Sequence, residues 1–86
     1  MNIDLILCGK VGVSSAMVYS VIAREVGIRG VLFEGHPYVC LSITSIQNVL
    51  PFYSKKTVQR ALDNLEENGL IESKLFIGTT KWRRIV

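Results

Sequence analysis

The sequence predicts a small α+β domain, mainly helical, that closes with one β-hairpin. Three observations carry that expectation. Residues 41–73, LSITSIQNVLPFYSKKTVQRALDNLEENGLIES, hold two helical patterns separated by a proline-containing turn. In the second pattern Val58, Ala61, Leu62 and Leu65 recur at i, i+3, i+4 and i+7, one apolar stripe of an amphipathic helix. Downstream, two runs of β-branched and aromatic residues flank Gly78-Thr79-Thr80-Lys81, the pattern of a hairpin with a glycine-containing loop.

Taken in chain order, residues 1–10 are ambiguous. Ile3, Leu5, Ile6, Leu7 and Cys8 suit a short helix or a buried strand, and helix is the expectation adopted. Gly9 and Gly12 interrupt the pattern, and Ser14 or Ser15 then serves as N-cap of a largely buried helix over 16–26, ended by Gly27. Residues 30–37 read as loop because of Gly35 and Pro37, and 38–42 as a short strand. Ser42 caps a helix over 43–50, which Pro51 stops by disfavouring helical geometry at Leu50. Phe52 and Tyr53 form the turn, and Ser54 caps the helix over 55–68. Gly69 suits the left-handed position past a helix end, with Leu70 folding back on Leu65. Strands over 72–77 and 82–86 complete the hairpin. One domain over 1–86 is expected, with an N-terminal helical part (1–26), a two-helix core (38–73) and the hairpin (72–86).

Composition agrees with a globular chain: 86 residues, 49% hydrophobic and 20% charged. The net charge of +3 lies wholly in residues 52–86, where Lys55, Lys56, Arg60, Lys74, Lys81, Arg83 and Arg84 outnumber Asp63, Glu66, Glu67 and Glu72. Such asymmetry fits a polyanionic partner. Cys8 and Cys40 sit in apolar settings and are expected to be buried free thiols of a cytoplasmic protein. Asp4 and the short apolar run 5–8 do not make a secretion signal, and no run approaches a membrane span.

The stretch SKKTVQRALDNLEENGLI, a serine, polar residues, Val-x-x-Ala-Leu-x-x-Leu and then Gly-Leu-Ile, resembles the second-helix signature of winged helix-turn-helix domains. More narrowly, LPFYSKKTVQRALDNLEENGLIES and the later GTTKWRRI, with Thr80, Lys81 and Trp82, are similar to small helix-turn-helix domains of phage and plasmid replication-associated proteins or transcription regulators. The resemblance covers residues 13–86, weakly before Leu41. It implies binding of double-stranded DNA through the second helix and the hairpin wing, in the cytoplasm of a prokaryotic or virus-infected cell.

The candidate DNA-binding residues follow. Ser54, Lys55, Lys56, Thr57, Gln59, Arg60 and Asn64 lie on the second helix off its apolar stripe. Gln59 and Asn64 carry the donor–acceptor pair that reads adenine, Arg60 suits guanine, and Lys55 and Lys56 suit phosphates. The plain alternative for such residues is a solvated helix face. Asp63, Glu66 and Glu67 make the far half of the helix acidic, so only its first two turns are expected in the groove. The wing offers Lys74, Thr79, Thr80, Lys81, Arg83 and Arg84 for backbone or minor-groove contact, against the alternative that these cations only protect a strand edge. Trp82 is expected to pack over the hairpin rather than stack on bases. Ser42, Thr44, Ser45 and Tyr53 are placed for phosphates or, for Ser42, for capping.

Several chemistries are not expected. Gly9-Lys10-Val-Gly-Val-Ser-Ser has the parts of a phosphate loop in the wrong order. His36 stands alone, and Cys8 and Cys40 match no zinc spacing, so no metal and no cofactor is expected. Without a catalytic constellation, the chain is read as a binding module rather than an enzyme. The partner is duplex DNA, with a homodimer or protein partner held through the apolar segment 1–26. The competing reading is a protein-interaction adaptor on the same scaffold, using that segment and the acidic 63–67 patch.

Overall fold

The computed structural model describes residues 9, 11–75 and 80–86. The helix expected over 1–10, Cys8, Lys10 and the upper part of the wing, Thr79 included, lie outside the described residues. Helix α1 spans Val13–Arg29, α2 Ile43–Val49 and α3 Lys55–Glu67; the strands are β1 Val31–Phe33, β2 His36–Cys40, β3 Ile71–Lys74 and β4 Trp82–Ile85.

Helix α1 is longer than its periodicity suggests. It starts after Gly12, whose φ of 91° is open to glycine, and its first turn contains Ser14 and Ser15 instead of being capped by either. Gly27 does not end it. The helix runs on through Arg29, which pairs with Glu25 one turn back at 2.8 Å. A mid-helix glycine costs only about 1 kcal/mol, which packing on either side outweighs. The stop comes at Gly30, where a Cβ would lie 2.5 Å from the Val26 carbonyl oxygen.

Residues 30–37 are not loop. Val31↔Tyr38, Leu32↔Pro37 and Phe33↔His36 pair as an antiparallel hairpin. Its two-residue turn, Glu34-Gly35, has positive φ at both positions, 53° and 80°. That geometry matches the right-handed twist of the strands, and Glu-Gly is an unobtrusive variant of the Asp-Gly and Asn-Gly turns that advertise it. Pro37 is compatible because the pair next to the turn-flanking one points its N–H groups away from the partner strand.

The two-helix core follows the sequence closely. The Ser42 hydroxyl accepts the Ser45 N–H at 3.1 Å, and Ser54 accepts that of Thr57 at 3.2 Å. Gly69, at φ 68°, ends α3 in a Schellman motif: its N–H donates to the Glu66 carbonyl and that of Leu70 to the Leu65 carbonyl, both at 3.0 Å. Replacing Gly69 with alanine adds a methyl that meets nothing within 4 Å, so only backbone strain remains. The expected outcome is a loss of about 1 kcal/mol, read from the urea midpoint at unchanged m-value.

Val18, Val21 and Ile22 of α1, Ile46 of α2, and Val58, Leu62 and Leu65 of α3 form a core closed by Val39, Leu41, Leu50 and Ile71. Among the described residues of the segment 1–26, Ala16, Val18, Val21 and Ile22 are buried inside the domain, whereas Val13 stays exposed. Among the described residues the strands make one antiparallel sheet in the order β1-β2-β4-β3. The two wing strands are therefore part of this sheet. Its strand β4 is interior, pairing Val39↔Arg83 and Cys40↔Trp82 on one side and Ser73↔Arg83 and Lys74↔Trp82 on the other.

Candidate nucleic-acid interface

Helix α3 turns its apolar stripe inward, which leaves Lys55, Lys56, Gln59, Arg60 and Asp63 exposed. Lys56, Gln59, Arg60 and Asp63 follow one another at helical spacing and share a face. Two lysines open the helix and no acid stands in its first turn. That arrangement opposes the helix dipole, which favours anions at this end. A phosphate placed there would meet both the cations and the N–H groups of the first helical turn.

Strand alternation decides the fate of the wing cations. Arg83 shares the helix-facing side of the sheet with Ile71 and Val39 and is only 5% exposed. Its Nε donates to the Leu41 carbonyl at 3.3 Å, its Nη1 to the Ser73 hydroxyl at 2.9 Å, and Glu66 lies 3.5 Å away. Burial lowers the pKa of this guanidinium, and the charges of Glu66 and Asp63 offset part of that. Arg84 points to the opposite side, where it pairs with Glu72 at 2.9 Å. Lys74 bridges Glu72 at 3.0 Å and Glu34 at 3.2 Å. Hydrogen bonds from Lys74 and then Arg84 hold the Glu72 carboxyl below its usual range, and Glu72 and Glu34 raise the Lys74 ammonium above its own. Trp82 lies on this outer side edge-to-face with Phe33, centroids 5.1 Å apart, and so packs over the sheet.

Asn64 is also engaged within the fold. Its amide donates to the Val11 carbonyl at 2.8 Å and the Ser15 hydroxyl at 2.9 Å, tying α3 to the start of α1. Gln59 is exposed but donates to Asp63 at 2.9 Å. Ser54 and Thr57 bond each other while capping the helix. Ser42 and Ser45 are likewise paired at 3.0 Å, and the Tyr53 hydroxyl donates to the Met17 sulfur at 3.5 Å. Thr44 is exposed.

A clear division emerges. Among the described residues Arg24, Arg29, Lys74, Arg83 and Arg84 are ion-paired; Lys55, Lys56, Arg60 and Lys81 are not. The unpaired cations belong to the first two turns of α3 and to the wing. Between these elements lies a cleft of about 260 Å³, with Gln59 and Glu66 on one wall, Thr80 and Lys81 on the other, and Arg83 between. Two helices across a tight turn followed by this wing match a family model, the TBPIP/Hop2 winged helix domain, over residues 38–81.

The chain belongs to that family.

No curated protein and no solved structure shows a significant match to it. The winged helix family is consistent with binding DNA or protein in general. The match begins at Tyr38, where β2 enters the core, so α1 lies outside the matched segment although it supplies one wall of the hydrophobic interior.

The sequence did not reveal which wing arginine faces solvent. The signal was present in the alternation of β4: Arg83 shares parity with Ile85, opposite the core residue Ile71. Composition masked it, because Arg83 and Arg84 look alike until a register is known. Phe52 also went undervalued. It is 65% exposed at the turn beside Lys55, and its ring meets that of Tyr53 edge-to-face. No helix among the described residues is long and apolar enough to cross a membrane.

Proposed function

We propose that this winged helix domain binds double-stranded DNA without performing catalysis. Lys55, Lys56 and Arg60 of α3 and Lys81 of the wing carry the phosphate contacts. The observation that supports this is the segregation of charge. Arg24, Arg29, Lys74, Arg83 and Arg84 are paired with carboxylates, while Lys55, Lys56 and Arg60 of α3 and Lys81 of the wing are not, and α3 and the wing line one cleft. Arg60 and Gln59 are the base-reading candidates, Gln59 after giving up its bond to Asp63. Asn64, Lys74, Arg83 and Arg84 drop out of the proposed contact set because their side chains already hold the fold. A role in phage- or plasmid-type replication or transcription control, in the cytoplasm, rests on the likeness of residues 50–73 and 78–85 to such domains.

The test is fluorescence anisotropy with a labelled random duplex of about 20 base pairs. A slope of log K against log salt of about −3.6, from four phosphates at roughly −0.9 each, is expected. Between about 50 and 200 mM salt that is a loss of affinity of roughly 150-fold. Affinity no tighter than millimolar at the lower salt would sink the proposal. It would favour the protein-interaction reading, which the exposed Ile28, Val31 and Leu32 around edge strand β1 support.

A further inference from the structure

We infer that Arg83 is a positioning residue that braces the wing against the recognition helix and so sets where Lys81 meets the DNA backbone. This rests on the DNA-binding reading above and adds a residue that touches no DNA.

The geometry is a closed circuit. Arg83 reaches Leu41, the residue before the Ser42 cap of α2, through its Nε. Through Nη1 it reaches Ser73 on β3, and it lies against Glu66 on α3. The Ser73 hydroxyl in turn donates to Glu66 at 2.6 Å. One side chain thus joins the start of α2, the C-terminal half of α3 and both wing strands. Van der Waals packing of the two wing strands does not by itself fix their distance from α3. Two directional hydrogen bonds and an ion pair from one planar guanidinium, reaching three elements, do. Lys81 sits two residues ahead on the same strand line, about 7 Å away at the rise of a β-strand. It lines the same cleft as Arg83 and Gln59. Any play at Arg83 is passed along this short, extended lever to the Lys81 ammonium. The bond is also insulated from competition: Arg83 is buried, so neither salt nor a phosphate displaces its partners easily.

The experiment is a double-mutant cycle on duplex affinity and its salt slope. In the wild-type background Lys81→Ala is expected to weaken binding about three- to fivefold and to flatten the slope by about one contact. Arg83→Met is expected to flatten the slope by the same amount although Arg83 touches no phosphate. Adding Lys81→Ala to it then costs less than about twofold. Arg83→Lys keeps the charge but not the planar fork, and should behave like Arg83→Met; wild-type slope and affinity in Arg83→Lys overturn the brace. So does a full, independent Lys81 penalty in the Arg83→Met background. Should Arg83→Met fail to fold, Ser73→Ala breaks two links of the circuit and leaves the charges adjacent. It should at least halve the Lys81 effect, and an unchanged effect overturns the inference.

Amide hydrogen exchange on the same variants separates the brace from the DNA reading. Amides of residues 80–84 exchanging about tenfold faster, with α1 amides unchanged, support the brace even if no duplex binds. A uniform rise through α1, α3 and the wing marks a purely core role and overturns it. Absence of duplex binding by the wild type, with the brace intact by exchange, rejects the DNA reading alone.

Discussion

Lys55→Ala/Lys56→Ala/Arg60→Ala is expected to weaken duplex binding about a hundredfold near 100 mM salt and to leave a residual salt slope near −1. The reasoning starts from the free cations. Each phosphate contact releases roughly 0.9 counterions, so three lost contacts remove most of the electrostatic affinity. The fold should not suffer. All three side chains are exposed and make no ion pair among the described residues. Alanine is the best helix former, and removing cations from the start of α3 relieves an unfavourable interaction with its dipole. The thermal midpoint should therefore stay the same or rise slightly while binding collapses. Lys74→Ala is the matching control: it removes a cation of equal formal charge that Glu72 and Glu34 already neutralise, and should leave the salt slope unchanged. Equal losses per charge removed in the triple variant and the control would mean that net charge alone attracts DNA. Unchanged affinity in the triple variant would remove α3 from the interface.

The second large effect concerns the helix as a structural member. Leu62→Ala should destabilise the domain by about 3 to 4 kcal/mol. Leu62 is fully buried in the cluster that α3 shares with α1, α2 and the sheet. Its truncation leaves a cavity at the junction of elements that cannot all collapse on it. For a domain of this size the thermal midpoint should fall by roughly 15 to 25 °C, followed by circular dichroism. Against a total stability of about 5 to 10 kcal/mol, the variant keeps roughly 1 to 7 kcal/mol and stays mainly folded near room temperature. Well below its midpoint it should still bind duplex with the wild-type salt slope, because the cations on the outer face are untouched. A loss of stability below about 1 kcal/mol would mean that the α3 stripe is not where the domain is held together.

The parts of this fold that were legible in the sequence are those written locally. The caps at Ser42 and Ser54, the stop at Pro51, the Gly69 Schellman end and the stripe through Val58, Ala61, Leu62 and Leu65 each depend on residues within a turn or two of one another. Chain-local rules decide them. The β1–β2 hairpin was hidden because its strands are short and its Glu-Gly turn is a weak signal beside Pro37. The overrun of α1 past Gly27 was hidden because it depends on the approach of Gly30 to Val26, and the pattern carried no sign of it.

The candidate site divides in the same way. The residue types at its positions, and the basic half of the chain in which they fall, are properties of the sequence alone. Which cations remain free is not. Lys74, Arg83 and Arg84 are as basic as Lys55, Lys56 and Lys81. Only the strand register sets Arg83 inward against Glu66 and Ser73, and Arg84 and Lys74 outward against Glu72. A winged arrangement with a basic helix is legible along the chain, because helix ends and amphipathic periods are settled by near neighbours. The tertiary structure alone decided which charges are spent on the fold and which stay available, because a side chain's partner in a sheet is chosen by pairing between segments distant in the chain.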